Sequence, residues 1–589
     1  GRLSSPRLCT ILTPMAALDP SSVYRILTVS LLGLAVGSLA SLAAIGFVEA
    51  VEWLNYHLLI SPYARVLNAD DPVVLDVATV LVPTVGGLAV GLVVRGLVAE
   101  GRGLGPPDTI LAVQTRQPPP GLRSGLGSTL AALLSLGCGA SVGQYGPLVY
   151  MGTQLGALAA RWRFAIRDLP AVTMACGVAA AIATAFNAPI SGLVFAHEVI
   201  LRHYSLRAFA PVTVAAATGY VLANVVFQRP ALFLVAFEGV QHGHEFLLFA
   251  VEGVLCAGVA TVFMKLVLLS GRSAARLPLA APLRPALAGL ILGLVGLWLP
   301  EVLGIGKETL RFATIPGAFS PAELGLIVVA KISMTALCVG FGFVGGVFSP
   351  ALLIGILFGS LYGLVVPGWL PLPNSGIVVY AICGMMAVTS TVIGAPLTTI
   401  LIVFELTRSY DLTIAAMVAV VFSNLVAYRV FGRSLFDVQL AGRGFDLSFG
   451  RDKAILGNRR VVDYLRRDYT ALLPTDSVAE LLARLGREGR AEAVIVDGEH
   501  RYLGLIRLQD ALSSEPDVPL GPLARDGGVV FHEHTTLWQA MEEMQDFVGE
   551  AVPLLASDGR VLGVVPEGVV MGGYMETVHD LRREENAGT

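Results

Sequence analysis

The sequence carries little charge for its length. Only 14% of its 589 residues are Asp, Glu, Lys or Arg, whereas soluble proteins average about 25%. Hydrophobic residues make up 54% of the chain, and the mean hydropathy is +0.71. This composition excludes an ordinary soluble enzyme and predicts a chain that is largely embedded in lipid.

The sequence also lacks a basic excess, because its formal net charge is −4. Proteins that bind nucleic acid carry clustered Lys and Arg residues that neutralise phosphates. We therefore predict no nucleic-acid partner, and membrane transport becomes the leading class of function.

Cysteine pairs, metal-ligand spacings and catalytic constellations are missing as well. The six cysteines are widely separated and include no Cys-x-x-Cys pair, which predicts core packing and not disulfides or metal ligands. The histidines show no ligand spacing with carboxylates or cysteines, so we expect no metal site. No nucleophile, base and orienting group recur at catalytic spacing. The sequence predicts neither an enzyme nor a bound cofactor.

Apolar runs that approach the length of a membrane crossing recur over the first 440 residues. A full crossing needs about 20 residues. The predicted spanning windows are residues 26–48, 74–94, 130–142, 209–227, 246–269, 283–299, 324–339, 376–393 and 414–427. Shorter segments at 148–162, 190–199 and 351–366 are interrupted by Gly and Pro. They predict broken helices that line a cavity, because lipid cannot satisfy free backbone ends.

The two halves of this apolar region repeat one another. Pro147 and Pro350 each follow a glycine-rich stretch and precede a glycine by five residues. Further along, each half has an Ala-Pro pair followed by a carboxylate at the same spacing, Glu198 in the first half and Glu405 in the second. Duplicated halves with interrupted helices predict a substrate site near the membrane midplane, where the broken helices converge.

Three segments share a pattern of glycine followed by a helix-starting proline. Residues 103–107 read Gly-Leu-Gly-Pro-Pro, residues 143–147 read Gly-Gln-Tyr-Gly-Pro and residues 346–350 read Gly-Val-Phe-Ser-Pro. Proline suits the first helical turn because its missing N–H would be unpaired there. The remaining unpaired N–H groups carry partial positive charge. Three such ends facing one another would hold an anion without a full positive charge.

After about residue 442 the composition becomes that of a soluble region, within which one pattern occurs twice. An amphipathic helix, a β-rich stretch, a turn and a glycine-containing strand span residues 478–506 and again residues 537–565. The repetition predicts two related α/β domains.

Together these segments resemble the CLC family of chloride channels and proton-coupled chloride exchangers, with tandem CBS domains at the C-terminus. Further matching motifs are residues 186–189 (Phe-Asn-Ala-Pro), 394–398 (Gly-Ala-Pro-Leu-Thr) and 432–436 (Gly-Arg-Ser-Leu-Phe). The resemblance covers essentially the whole chain. It implies an all-α integral membrane protein, a CLC-type bundle of inverted repeats with broken helices, plus an α/β cytosolic CBS-domain pair. It also implies a homodimer with one anion path per subunit.

The predicted organisation follows from these patterns. An N-terminal segment covers residues 1–20, and a transmembrane domain covers 21–440, with halves at about 21–230 and 244–440. A linker at 441–458 leads to CBS domains at 459–515 and 516–585. We expect a multi-pass protein of the inner or plasma membrane, with its CBS domains in the cytosol.

Four positions depart from the family pattern. Tyr145 replaces the gating glutamate, and Val199 stands at the inner proton-relay glutamate. Leu104 and Phe436 replace the two hydroxyl residues that face the central anion in the family. A phenol exchanges protons poorly at neutral pH. The sequence therefore predicts passive, channel-like anion conduction that is not coupled to protons.

The residues predicted to bind the anion or line its pore are Leu104, Gly105, Gln144, Tyr145, Gly146, Val347, Phe348, Ser349 and Phe436. Tyr145 is the predicted gate, with an aromatic plug beside the helix end as the alternative. Leu104 and Phe436 are either pore constrictions or ordinary core residues. The expected ion is chloride, and nitrate, thiocyanate and bicarbonate are further candidates. Two alternative functions stay open: a slow CLC-type exchanger or uniporter, and a non-conducting sensor regulated by the CBS pair.

Ionisable residues within the apolar helices have structural interpretations. An ionisable group in an apolar helix is by default a functional candidate. Because the repeat gives Glu198 and Glu405 equivalent places, we expect instead that they cap or pair near helix ends. Lys265 and Lys331 are expected to extend towards an interface and not to line the pore.

A nucleotide site in the CBS pair has partial support. The family often binds adenine nucleotides through a Ser/Thr-x-x-Asp segment after the last strand. The first copy keeps Asp510 but has Arg507 in place of the hydroxyl residue, and residues 566–569 of the second copy contain no aspartate. We therefore expect a structural, dimer-stabilising CBS pair, with adenine nucleotide at Asp510 as the alternative.

Overall fold

The computed structural model describes residues 20–68, 70–161, 169–229, 239–369, 373–446, 451–524, 528–545, 547 and 549–585. The chain forms two compact units. The first unit comprises Gly1–Thr109 and Pro118–Val430, and the second unit comprises Ile110–Gln117 and Phe431–Thr589.

The first unit is built from helices. In chain order they are α1 (Pro20–His57), α2 (Pro62–Leu67), α3 (Pro72–Leu97), α4 (Pro106–Thr115, which continues into the second unit), α5 (Leu122–Gly137), α6 (Tyr145–Ala160), α7 (Leu169–Phe186), α8 (Pro189–Phe195), α9 (Leu206–Tyr220), α10 (Glu245–Arg276), α11 (Leu283–Gly296), α12 (Lys307–Phe312), α13 (Pro321–Gly340), α14 (Phe348–Trp369), α15 (Ile377–Ile393), α16 (Pro396–Thr407) and α17 (Tyr410–Val430). The π-helical segments Ala196–Leu201 and Val221–Val226 continue α8 and α9. Several helices begin at a proline, as the missing N–H favours.

Within the described residues, eight helical stretches are long and apolar enough to cross a membrane. They are Leu27–Leu67, Pro72–Leu97, Leu169–Phe186, Arg207–Val226, Glu245–Arg276, Pro321–Gly340, Phe348–Val366 and Tyr410–Ala441. The chain is thus a multi-pass membrane protein.

Two sequence expectations about these helices are wrong, and one further helix was not predicted. The window at 130–142 does not continue as one helix, because α5 ends at Gly137. The segment at 351–366 is part of α14, a full-length helix of 22 residues, because Pro350 lies inside its first turn. Helix α7 was not among the predicted windows, since it is rich in Ala and has few long apolar side chains.

The duplication of the two halves is visible in how their helices pack. A Cβ atom at Gly152 on α6 would lie 2.3 Å from the carbonyl oxygen of Gly177 on α7. A Cβ atom at Gly355 on α14 would lie 2.5 Å from the carbonyl oxygen of Gly384 on α15. In each half, therefore, an equivalent pair of glycines lets the backbones of two helices lie in direct contact. This matched contact confirms the repeat predicted from the sequence.

The second unit contains two three-stranded sheets of the same design. Their strands are β1 (Ala471–Leu472), β2 (Glu492–Val496), β3 (Tyr502–Arg507), β4 (Phe531–His532), β5 (Ala551–Leu555) and β6 (Val561–Pro566). Strand β1 pairs parallel with β2, which pairs antiparallel with β3, and β4, β5 and β6 repeat this arrangement. The helices of this unit are α18 (Leu435–Ala441), α19 (Arg451–Leu456), α20 (Val478–Glu488), α21 (Leu508–Leu512), α22 (Leu537–Glu543) and α23 (Glu567–Glu585).

The two sheets of the second unit share a core. Val494 and Val496 on β2 form one buried cluster with Leu555 on β5 and with Val561 and Val564 on β6. Burial of apolar side chains between the two copies stabilises them as a pair. The predicted α/β pair at the C-terminus is therefore present.

Candidate functional site

Two helices of the first unit begin side by side at a pair of glycines. The N–H of Gly143 donates to the carbonyl of Gly346 over 2.6 Å, and the N–H of Gly346 donates to the carbonyl of Gly143 over 2.7 Å. These reciprocal bonds form an antiparallel bridge. A Cβ atom at Gly146 would lie 2.9 Å from the Cα of Gly346. The absence of side chains therefore lets α6 and α14 start in direct contact.

The first turns of α6 and α14 present backbone N–H groups inside the protein. Tyr145, Phe348 and Ser349 are 2%, 4% and 3% exposed. Among the described residues, no acceptor contacts the N–H groups of Tyr145, Gly146, Phe348 or Ser349. The Oε1 atom of Gln144 and the Oγ atom of Ser349 are likewise buried without a partner in the described chain. Buried helix ends of this kind attract negative charge.

The third predicted helix end, at α4, is arranged differently. The N–H of Leu104 donates to the Oγ of Ser128 over 2.9 Å, and the N–H of Gly105 donates to the Oδ2 of Asp108 over 3.0 Å. Asp108 also forms an ion pair of 2.6 Å with Arg102. These two N–H groups already have acceptors, one of them a carboxylate in the first helical turn. The unpartnered donors are therefore those of α6 and α14.

A cluster of aromatic rings covers the starts of α6 and α14. The ring of Tyr145 stacks on Phe186 with centroids 4.1 Å apart and an interplanar angle of 16°. Phe348 lies 5.1 Å from Tyr145 and 5.2 Å from Phe186, and Phe195 lies 6.5 Å from Phe348. The four rings therefore pack against one another over these helix starts. Phe186 belongs to a motif noted in the sequence, but no role was predicted for it or for Phe195. Their proximity depends on the packing of α7 and α8, which the sequence does not reveal.

A cavity of about 760 Å³ lies in the first unit beside this cluster, and Gln144 and Phe186 are among its lining residues. Its charged lining residues are Arg65, Arg229, Lys307, Arg311, Glu49, Glu52, Glu301 and Glu308. Arg229 pairs with Glu49, and Lys307 pairs with Glu52. The sequence predicts a cavity lined by broken helices but not these charged lining residues, because the walls come from segments far apart in the chain.

Of the remaining predicted site residues, only Val347 adjoins these helix starts. Val347 is buried immediately before α14. Val199 is 3% exposed and lies in the π-helical segment Ala196–Leu201. Phe436 is buried in α18 of the second unit, and Asp510 lies in α21, which follows β3.

Glu198 and Glu405 cap helices in each other's half. The carboxylate of Glu198 accepts bonds from the N–H groups of Leu397 and Thr398, each 2.9 Å long, and from the hydroxyl of Thr398. The carboxylate of Glu405 accepts bonds from the N–H groups of Ile190 and Ser191 over 2.8 and 2.7 Å, and from the hydroxyl of Ser191. The predicted structural role of both carboxylates is confirmed.

The π-helical segment Ala196–Leu201 follows from a one-residue difference between the halves. Arg202 follows Glu198 by four residues, whereas Arg408 follows Glu405 by three. Both arginines adopt the left-handed conformation, with φ angles of 57° and 53°. The extra residue of the first half is thus accommodated in a wider helical turn.

The two lysines expected to reach an interface behave differently. Lys265 is exposed on α10. Lys331 is fully buried on α13, so the expectation is wrong for this residue. Its Nζ donates to the carbonyl oxygens of Val302 and Gly304, 2.9 and 2.8 Å away, which replace the water it would otherwise need.

An apolar repeat of broken helices, with two of them starting at one buried contact, defines an integral membrane transport protein. The family model for voltage gated chloride channels matches residues 86–428, and the chain belongs to this family. A CBS domain model matches residues 461–517. The predicted family and fold class are confirmed.

Two curated relatives share this similarity over most of their length. The chain is 32% identical over 426 residues to a putative ClcB-like chloride channel protein of Ralstonia nicotianae, covering 69% of this chain and 95% of that protein. It is 30% identical over 419 residues to the voltage-gated ClC-type chloride channel ClcB of Escherichia coli, covering 68% of this chain and 96% of that protein.

Two solved structures show the same fold. One is a slow cyanobacterial Cl⁻/H⁺ antiporter, with a TM-score of 0.63 at 24% identity, covering 72% of this chain and 99% of that one. The other is a eukaryotic CLC transporter, with a TM-score of 0.61 at 19% identity, covering 92% of this chain and 98% of that one.

Proposed function

We propose that this protein conducts a small anion passively, without proton coupling, along a path that passes the starts of α6 and α14. The observation that carries the proposal is the set of buried, unpartnered N–H groups at Tyr145, Gly146, Phe348 and Ser349. Backbone dipoles attract an anion more weakly than a full charge does, which favours passage over tight binding. Leu104, Gly105 and Val347, which belong to the same unit, complete the proposed pore lining.

The lack of coupling rests on two side chains. Proton transfer along the path would need groups that gain and lose a proton near neutral pH. Tyr145 and Val199 stand where the family resemblance places the two proton-carrying glutamates. Glu198, next to Val199, is engaged by three donors at the start of α16. These residues support anion movement without accompanying protons.

The aromatic cluster supports a role for Tyr145 as the gate. Its ring is 2% exposed and stacks on Phe186 at the start of α6. An anion that reaches the N–H groups has to displace this ring. A ring that covers the helix starts would also fit a non-conducting sensor. The presence or absence of anion flux distinguishes the sensor from a channel.

The test is anion flux from liposomes that contain the purified full chain, with external pH recorded at the same time. Chloride, nitrate, thiocyanate and bicarbonate are compared in parallel. Selective flux without pH change supports passive conduction. Proton movement in a fixed ratio to the anion would refute it and favour an exchanger, and absence of any flux would favour the sensor.

Two variants sharpen this experiment. Tyr145→Ala removes the ring above the helix ends and is expected to raise the flux. Tyr362→Ala truncates a buried tyrosine of α14 whose hydroxyl bonds the carbonyl of Leu248, and it serves as the matched control. Tyr145→Glu restores a carboxylate and tests whether gating then depends on pH.

A further inference from the structure

Lys331 is a buried lysine in the membrane helix α13. Its side chain is fully buried, and its Nζ donates to the carbonyl oxygens of Val302 and Gly304. No described carboxylate forms an ion pair with it. A charged side chain inside a membrane protein is costly, and such residues commonly mark an ion pathway.

The contacts of α13 place Lys331 directly behind the cavity of the candidate site. Gly304 lines that cavity together with Gln144. One helical turn after Lys331, the hydroxyl of Thr335 lies 2.9 Å from that of Ser141, two residues before Gly143. The same face of α13 therefore supports both the cavity wall and the segment that leads into α6.

The charges that line the cavity do not by themselves favour anions. Its lining contains four basic and four acidic side chains, and two of the basic residues are paired with acids. A protonated Lys331 would add one positive charge behind the wall, where its Nζ donates to the carbonyl oxygens of Val302 and Gly304. Charge in a protein interior is screened less than charge at a surface.

We propose that the buried ammonium of Lys331 is the specificity-determining charge that draws anions into this cavity and keeps cations out. This inference rests on the proposed anion conduction and names the residue that sets its ion selectivity. Lys331 acts through the field at the cavity and not by contact with the anion.

The repeat argues that the fold itself does not require a charge at this place. Ser128 on α5 precedes Lys331 by 203 residues, the same separation as between Gly143 and Gly346. In the first half the neutral hydroxyl of Ser128 holds the backbone before α4 by accepting the N–H of Leu104. A neutral polar side chain therefore suffices for holding the loop, and the charge of Lys331 calls for a separate explanation.

The experiment compares Lys331→Gln and Lys331→Met in the liposome assay, with Lys265→Met as the matched control. Gln keeps N–H donors for the two carbonyls but removes the charge. Both Lys331 variants are expected to raise the half-saturating anion concentration about tenfold and to admit cations, whereas Lys265→Met matches the wild type. If Lys331→Gln retains wild-type saturation and selectivity, only the hydrogen bonds matter and the proposal is overturned.

Two further measurements separate this inference from the proposed function. If the wild type shows no flux, conduction fails, and calorimetric titration of chloride into the wild type and Lys331→Gln decides whether the charge controls anion affinity. If the variants do not fold, wild-type selectivity is measured in about 0.1 M and about 1 M impermeant salt, over which the Debye length falls from about 10 to about 3 Å. Selectivity that is retained at the higher salt concentration supports a buried charge. Selectivity that is lost there overturns the proposal.

Discussion

Glu198 and Glu405 exchange caps between the two halves of the first unit. Each carboxylate accepts two backbone N–H bonds and one hydroxyl bond at the start of a helix in the opposite half. A carboxylate at a helix N-terminus satisfies unpaired donors and opposes the positive end of the helix dipole. The two short helices α8 and α16 are thus held by the same interaction in both directions.

The first prediction concerns these caps. Glu198→Gln and Glu405→Gln should each destabilise the first unit by about 1–3 kcal/mol, because the amide loses the charge and turns an NH₂ group towards N–H donors. The two losses should be similar, since the donor sets match. Thermal unfolding of the full chain in detergent measures them. Glu323→Gln, in the exposed capping box at the start of α13, is the control and should have a smaller effect.

The second prediction separates the ring of Tyr145 from its hydroxyl. Tyr145→Phe keeps the stack on Phe186 and should leave anion flux unchanged. Phe186→Leu keeps most of the volume but loses the stacked ring, and it should raise the flux. Phe249→Leu, at a buried aromatic contact with Tyr380 on α10 and α15, is the control. A large change in Tyr145→Phe would show that the hydroxyl itself controls passage.

The third prediction tests the glycine contacts between helices. Gly152→Ala puts a Cβ atom 2.3 Å from the carbonyl oxygen of Gly177, so the helices have to separate at a cost of about 1–3 kcal/mol. Gly258→Ala, on α10 where no atom lies within 4 Å of the new Cβ, should cost nothing. Unfolding temperatures of the two variants in the same detergent give the comparison. Equal stability of both would show that α6 and α7 tolerate a wider spacing.

The fourth prediction concerns pH and the second unit. Burial raises the pKa of Glu492, and although the N–H of Glu550 and the guanidinium of Arg507 oppose this shift, burial dominates. The folded state therefore favours the protonated acid. Its contribution to stability is present below the pKa of the unfolded chain and is lost as pH rises through the higher folded pKa.

Glu492→Gln should remove this loss of stability between pH 4.5 and pH 7.5. Pulse proteolysis in urea, following the second unit of the full chain, measures the effect at both pH values. Glu499→Gln, at an exposed position between β2 and β3, is the control and should keep the wild-type pH dependence. A wild-type chain whose second unit gains stability over this pH range would contradict the prediction.

Local chemistry made part of this structure predictable. Pro147 and Pro350 marked the starts of α6 and α14, because proline and glycine constrain the backbone wherever they occur. The spacing that placed Glu198 and Glu405 in equivalent positions also indicated their structural role. The repeat of strands in the second unit could likewise be read from its alternation of apolar and turn residues.

Other features depend on contacts between distant segments. Lys331 looked like an ordinary lysine in an apolar run, and only the carbonyls of Val302 and Gly304 explain how it is buried. The stack of Tyr145 on Phe186 joins two helices whose relative position no local pattern encodes. The N–H of Leu104 before α4 is bound by Ser128 on α5, a contact that the glycine-proline motif alone did not indicate.

The wide turn at Ala196–Leu201 records a step in the history of this chain. If the two halves descend from one ancestral copy, a single residue was gained in the first or lost from the second after they were joined. A one-residue change in a helix ordinarily rotates every following side chain by about 100°. The π-helical turn, which contains Glu198, absorbed this change locally. Both exchanged caps are therefore kept although the two copies differ in length.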